Sequence, residues 1–196
     1  MEENLPSAYD SARDSSAASR DRLPRLTAES YRGHAAVHWT MTLDHRSTGW
    51  LDTAHHTALR EILLHTCHRY ALACPAYCLM PDHAHFIWLG LDPSSDQHLA
   101  AAWFRRHWNT LLAPAHTLQR QAHDHVLRDT EREQNAFTTI ATYILQNPQR
   151  AHLIAHWPDW PHLGAIFPGV HPLDPRTPDH WDRFWREHNR RVIPPT

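Results

Sequence analysis

The chain has 196 residues and a formal net charge of −2, and its 19 basic residues are all arginines, alongside 20 histidines. The charge excludes a strongly basic protein, and a content of 41% hydrophobic and 10% aromatic residues excludes a wholly disordered one. The longest uncharged stretch, residues 134–149, is too short and too polar to cross a membrane, so we expect a soluble protein with one domain and a tail.

The first part of the chain combines a polar arm with the first predicted elements. Residues 1–28 have neither a sustained apolar period nor a secretory signal pattern, and we predict that they form a disordered N-terminal arm. Residues 37–43 alternate as a strand does. Asp52 or Thr53 can cap the helix that follows, because apolar residues then recur at helical spacing, and Pro75 is expected to end that helix.

The rest of the chain predicts a sheet with helices packed on it. The predicted elements, in chain order, are strands over residues 77–80 and 83–91, a helix over 97–112, a short strand or extended link over 124–128, and a helix over 131–146. The Asn147-Pro148 dipeptide is expected to stop the last of these. The proline-rich residues 156–178 indicate an irregular wrap, and Thr177 caps a final helix. This order favours an α+β fold built on an antiparallel sheet.

The cysteines are Cys67, Cys74 and Cys78, an odd number without a CxxC pair. They fit reduced thiols in a cytosol better than a disulfide framework. We expect all three to fill the core.

Two histidines lie two residues apart on the predicted strand over 83–91. Side chains at this spacing point to the same side of a strand, so His83 and His85 would present two imidazoles about 7 Å apart along the backbone. Two imidazoles on one face are half of a metal site. Because the chain has 20 histidines, the spacing taken alone favours an incidental pair.

A tyrosine and an asparagine lie near the end of the predicted helix over 131–146. Tyr143 and Asn147 are four residues apart and therefore share a helix face. This face lies beside the apolar stripe centred on Ile144, at the edge of the contact with the sheet. The spacing alone favours a structural tyrosine with its hydroxyl at the rim of the core.

Together, these two motifs resemble a known family. Residues 79–85 (LMPDHAH), followed about sixty residues later by residues 143–151 (YILQNPQRA), resemble the HUH-superfamily single-tyrosine transposases, specifically the REP-associated tyrosine transposases. Shorter similarities occur at residues 31–33, 124–128 and 184–185. The resemblance covers roughly residues 31–191. It departs from the family pattern at Asp82, where Asn is frequent, and at His152, where Gly is common.

The resemblance implies a site. His83 and His85 match the paired histidine ligands of a divalent metal ion, Asn147 matches the third metal-site residue, and Tyr143 matches the nucleophile. Mg²⁺ or Mn²⁺ held there would polarise a scissile phosphate. The tyrosine would then form a 5′-phosphotyrosine and leave a free 3′-OH.

The resemblance also implies a fold, a function and partners. The fold is the ferredoxin-like HUH endonuclease fold, with a catalytic domain over residues 29–155 and a C-terminal wrap and helix over 156–196 that can contact DNA. The implied function is a metal-dependent single-strand DNA endonuclease and strand transferase, a transposase that acts at hairpin-forming repeats. Its partner is single-stranded or hairpin DNA in a prokaryotic cytoplasm, near the nucleoid and without a membrane. A monomer is favoured, with a dimer as the alternative.

Several polar residues are candidates for DNA contact. The helix over 97–112 interleaves aromatic residues with arginines, which suits single strands, although its aromatics serve equally well as core and its arginines as a solvated face. The arginines of the last helix form a second basic ridge, for which a solvated face is the simpler interpretation. The candidates are Arg105, Arg106, Asn109, Arg128, Arg183, Arg186 and Arg190.

Two alternatives stay open. The first is a domesticated protein that binds hairpin DNA without cleaving it, an interpretation that the intact His83, His85, Tyr143 and Asn147 do not favour. The second is a zinc hydrolase or a zinc-stabilised domain that uses other histidines, for example His123 and His125.

Overall fold

The computed structural model describes residues 26–129 and 133–192, so nearly all of the predicted arm and the start of the helix predicted from residue 131 lie outside the described residues. The strands are β1 Ala36–Thr42, β2 Leu72–Leu79, β3 His83–Gly90, β4 His123–Val126 and β5 Leu163–Ile166. The helices are α1 Thr53–Arg69, α2 Gln97–Leu112, α3 Gln134–Leu145, α4 Asn147–Arg150 and α5 His180–Val192. Single 3₁₀ turns cover Ala28–Tyr31, Asp44–Arg46 and Trp157–Asp159.

The strands form one five-stranded sheet in the order β4-β1-β3-β2-β5, and all neighbouring strands are antiparallel. Strand β3 is the middle strand. In its register with β1, Thr42 lies opposite His83 and Thr40 lies opposite His85. In the register of β1 with β4, Thr40 also lies opposite His123. The pair of histidines on β3 is therefore flanked by polar residues of β1.

The two faces of the sheet bury different helices. On one face, Leu63 of α1 and Phe104 of α2 belong to a core cluster with Trp39 and Phe86. The apolar period of α1 predicted its packing, and for α2 the structure decides in favour of core aromatics. The caps of the two helices are the carboxylates of Asp52 and Asp96, which accept hydrogen bonds from backbone N–H groups one turn along.

On the other face, α3 and α5 cover the sheet. Ile144 of α3 and Phe184 of α5 are fully buried against Ile87 of β3. The ring of Phe137 also meets that of Trp185 with centroids 5.3 Å apart, which joins the two helices. Because α5 lies on the same side of the sheet as α3, the C-terminal helix contributes to the core on the face of the sheet that also carries the histidine pair.

The expectation that Pro75 ends α1 is wrong. The helix stops at Arg69, and Ala71 has a left-handed φ of 48°, which turns the chain directly into β2. Pro75 instead lies inside β2, where the registers with both β3 and β5 shift between residues 73 and 77. A proline is tolerated in a central strand at such an irregularity because no regular ladder hydrogen bond requires its missing N–H.

The predicted irregular wrap over 156–178 is wrong at residues 163–166, which form β5 at the edge of the sheet beside β2. The four residues of β5 are all buried, so no alternation of polar and apolar residues marked them as a strand. The Asn147-Pro148 dipeptide does interrupt α3, but the chain continues through one further helical turn, α4.

The three cysteines are buried, as predicted. Burial raises the pKa of all three thiols, that of Cys78 to about 12, so the thiolate form is disfavoured. None of the helices within the described ranges is long and apolar enough to cross a membrane.

Candidate active site

The pair of histidines on β3 converges on one point. His83 Nε2 lies 3.1 Å from His85 Nε2, and the two rings are perpendicular, with an interplanar angle of 89°. The strand alternation that predicts a shared face is responsible for this proximity. Both side chains are only partly buried, so the point where they meet is open to solvent.

An acidic residue orients the first of these imidazoles. Asp82 Oδ1 lies 2.5 Å from His83 Nδ1, and Arg46 donates a hydrogen bond of 2.9 Å to Asp82 Oδ2. Burial alone would raise the pKa of Asp82, but the hydrogen bonds from His83 and Arg46 outweigh that effect and lower the pKa. The carboxylate therefore stays ionised and fixes the Nδ1 proton of His83, which leaves Nε2 as the lone-pair nitrogen.

Residues of β1 orient the second imidazole. His85 Nδ1 lies 3.1 Å from both His38 Nε2 and Thr40 Oγ1. Burial, followed by the nearby His38 and His83, lowers the pKa of His85 to about 3. Burial, followed by the charges of His125 and His123, lowers the pKa of His38 to about 4. Both rings are therefore neutral near pH 7.

The two Nε2 atoms fit neighbouring positions on a divalent metal ion. Bonds of about 2.0–2.2 Å to one ion put adjacent ligand atoms about 3 Å apart, and the separation here is 3.1 Å. Asn147 donates through Nδ2 to the carbonyl of Ile144 at 2.9 Å, which leaves its Oδ1 as the atom able to accept a metal ion.

No group of three or more His, Cys, Asp or Glu residues that could hold a metal ion occurs in the part of the chain that the structure describes. His123 and His125, the pair of the zinc alternative, lie exposed on β4. A metal ion at β3 would therefore need further ligands of other kinds besides the two imidazoles, such as an amide, solvent or substrate oxygen.

The predicted nucleophile lies on the same side of the sheet as the histidine pair. Tyr143 is 51% exposed in the last turn of α3, and the next two residues, Ile144 and Leu145, are buried. The guanidinium carbon of Arg150 lies 3.7 Å from the centroid of the Tyr143 ring. The charge of Arg150 also contributes to the lowered pKa of His85.

Sequence reasoning missed two residues that the structure brings into the site, His38 and Arg150. His38 reaches His85 from a different strand, and only the register of β1 with β3 reveals this. Arg150 is in the motif over residues 143–151, but its approach to the Tyr143 ring depends on the bend between α3 and α4. The sequence signal for this contact is a positively charged residue, Arg150, seven positions after Tyr143.

Two candidates for DNA contact on α2 have partners within the protein. Arg105 donates to the carbonyls of Gln119 and Arg120. Asn109 accepts a 2.8 Å hydrogen bond from the N–H of Leu118, so both side chains hold the segment that follows α2. Arg106 is exposed, but α2 packs on the opposite face of the sheet from the histidine pair.

The remaining candidates lie just after β4 and on α5. Arg128 is exposed just after β4. The three candidate arginines of α5 lie on a helix that shares a side of the sheet with Tyr143: Arg183 lies 3.9 Å from Asp179, Arg190 pairs with Glu187 at 2.8 Å, and Arg186 is exposed. A cleft of about 290 Å³ is lined by residues that include Arg183 and Arg186.

The sheet order and the helices on its two faces define an α+β protein built on an antiparallel sheet, as the sequence predicts. One similar solved structure is that of a REP-associated tyrosine transposase bound to a REP hairpin. It is 19% identical, the match covers 72% of this chain and 81% of that chain, and the TM-score is 0.61. The sequence matches no protein-family model and no curated protein. The likeness is therefore one of fold.

Proposed function

We propose that this protein is a metal-dependent single-strand DNA endonuclease and strand transferase that acts at hairpin-forming repeats. The observation that carries the proposal is the convergence of His83 Nε2 and His85 Nε2 at 3.1 Å, on the face of the sheet that α3 and Tyr143 cover. The similar solved structure is described as bound to a REP hairpin, which supports hairpin DNA as the partner.

His83, His85 and Asn147 would hold the divalent ion, Mg²⁺ or Mn²⁺. When bound, the ion supplies positive charge at the scissile phosphate and lowers the cost of attack by an anionic nucleophile. The protein contributes the orientation: Asp82 fixes His83, and His38 and Thr40 fix His85. These contacts hold both rings in place before DNA arrives, which is the condition for an effective ligand pair.

Tyr143 performs the group transfer. Its phenol oxygen forms a bond to the scissile phosphorus, and the bond from phosphorus to the 3′ oxygen breaks. The phenol proton passes to solvent, and the departing oxygen takes up a proton and leaves as a 3′-OH. Because the phosphotyrosine ester conserves the energy of the phosphodiester, the 3′-OH of another strand can attack it, which restores Tyr143 and joins the strands.

A labelled hairpin oligonucleotide with single-stranded flanks tests this function, with the hairpin taken from a library selected for binding. The wild-type protein with Mn²⁺ or Mg²⁺ should give a covalent adduct that survives denaturing electrophoresis. Tyr143→Phe should abolish the adduct because phenylalanine lacks the attacking oxygen, whereas Tyr70→Phe, at the end of α1, should leave it unchanged.

Two outcomes would count against the proposal. An adduct that persists in Tyr143→Phe removes Tyr143 as the nucleophile. Tight hairpin binding without cleavage in any divalent metal favours the alternative of a domesticated hairpin-binding protein.

A further inference from the structure

Arg150 is held over the ring of Tyr143 by the local fold. The chain bends after Leu145, and the single turn of α4 brings residue 150 back above residue 143. Its guanidinium carbon is 3.7 Å from the ring centroid, closer than the 5.7 Å of Arg69 over Tyr70. Arg150 itself is exposed, so the stacking directs the cation without burying it.

Arg150 stands over the Tyr143 ring, just after the helix α3 that packs on the face of the sheet carrying the histidine pair. Within residues 26–129 and 133–192, no carboxylate forms an ion pair with Arg150. Asp82, the carboxylate nearest in the sequence to the pair, is already bonded to His83 and Arg46. No carboxylate of the described residues therefore neutralises the guanidinium over the Tyr143 ring, which stays able to bind an anion.

We propose that Arg150 is a catalytic residue that binds a non-bridging oxygen of the scissile phosphate while Tyr143 attacks. This inference rests on the proposed function and adds to it a third kind of group besides the nucleophile and the metal ligands. A guanidinium suits the task because its planar N–H donors match phosphate oxygens and remain charged at all relevant pH values. It neither gains nor loses a proton in the step; it offsets charge that builds on the phosphate oxygens.

The test compares Arg150→Gln and Arg150→Lys with wild type in single-turnover cleavage of the selected hairpin. Loss of a preorganised charge donor predicts about 100-fold slower adduct formation in Arg150→Gln. The lysine variant should recover part of that rate because it keeps the charge but lacks the planar fork. Arg69→Gln is the matched control: it removes an arginine from a tyrosine ring on α1, and it should cleave at the wild-type rate.

A second hairpin makes the assignment specific to the phosphate. This hairpin carries a neutral methylphosphonate at the scissile position, and its binding is measured in the Tyr143→Phe background, where no cleavage occurs. With Arg150 present, the normal phosphate should bind about tenfold more tightly than the methylphosphonate. With Arg150→Gln added, the two hairpins should bind equally. A merely structural arginine would change both affinities by the same factor.

The outcomes separate this inference from the proposed function. If wild type forms no adduct, the proposed endonuclease fails, and the binding comparison still decides whether Arg150 contacts that phosphate. If Arg150→Gln cleaves at the wild-type rate, or keeps the preference for phosphate over methylphosphonate, the role of Arg150 is overturned. Thermal unfolding of each variant identifies any rate loss that comes from misfolding.

Discussion

At the scale of single residues, the candidate site depends on side chains that do not themselves bind metal. His38 lies on β1 and contacts His85 on β3 through nitrogens 3.1 Å apart. Both rings are neutral near pH 7 because burial lowers the pKa of each. In that state the Nδ1 proton of His85 can point to His38 or Thr40, and Nε2 is left with its lone pair toward His83.

His38→Ala should therefore weaken metal binding without removing a ligand. Loss of a hydrogen bond that orients a metal-binding imidazole costs about 10–100-fold in affinity, and we expect the lower end because Thr40 still contacts His85. Titration calorimetry with Mn²⁺ in the absence of DNA measures the effect. His65→Ala, at an exposed position on α1, is the control and should bind like wild type. An unchanged affinity in His38→Ala would contradict the orienting role.

Local geometry in the sequence predicts the placement of the candidate residues, whereas their functional roles come only from the resemblance. The two-residue spacing of His83 and His85 places them on one strand face, and the position of Tyr143 beside Ile144 puts it at the edge of the helix contact. His38 could not be predicted because its contact depends on the pairing of strands more than forty residues apart. Arg150 depends on a bend whose angle the Asn147-Pro148 dipeptide permits but does not specify.

At the scale of elements, the predictions were least accurate for β2 and β5. These strands are buried on both faces, so polar and apolar residues do not alternate along them. The helix over 97–112 is confirmed, and the structure adds the cap at Asp96 that the prediction did not name. β2 and β5 are buried on every residue, so their faces cannot be distinguished by pattern, and Pro75 within β2 suggested a break. Pro75 is accommodated at a register shift, which only the neighbouring strands define.

The placement of β5 and α5 predicts that residues 26–155 do not fold alone. Without residues 163–166 the buried strand β2 becomes an open edge, and without Phe184 the apolar face of α3 is uncovered. Thermal unfolding followed by circular dichroism should show a cooperative transition for a chain of residues 26–192 and none for 26–155. A cooperative transition of the shorter chain, within a few degrees of the longer one, would contradict this prediction.

At the scale of the whole molecule, histidines also pack into the fold away from the candidate metal site. One of them is His56 on α1, whose Nε2 lies 2.9 Å from the hydroxyl of the buried Tyr77, under β5. Burial, followed by the nearby His162, Arg60 and Arg176, lowers the pKa of His56 to about 4. The folded state therefore keeps this ring neutral at pH values where an unfolded chain would protonate it.

The direction of the pH dependence follows from this difference. Between pH 6.5 and about 4 the unfolded chain binds a proton at His56, whereas the folded protein keeps this ring neutral. The contribution of His56 to the free energy of unfolding is therefore highest above pH 6.5 and falls as the pH drops.

Urea unfolding of the metal-free protein at about pH 7.5 and about pH 5 measures the loss of this free energy. His56→Gln should reduce that loss by roughly 1–2 kcal/mol, whereas His65→Gln, at an exposed site on the same helix, should show the wild-type loss. The informative quantity is the change with pH, because the substitution also alters the contact with Tyr77 at every pH. An equal loss in His56→Gln and wild type would mean that His56 is protonated in the folded protein as readily as in the unfolded chain.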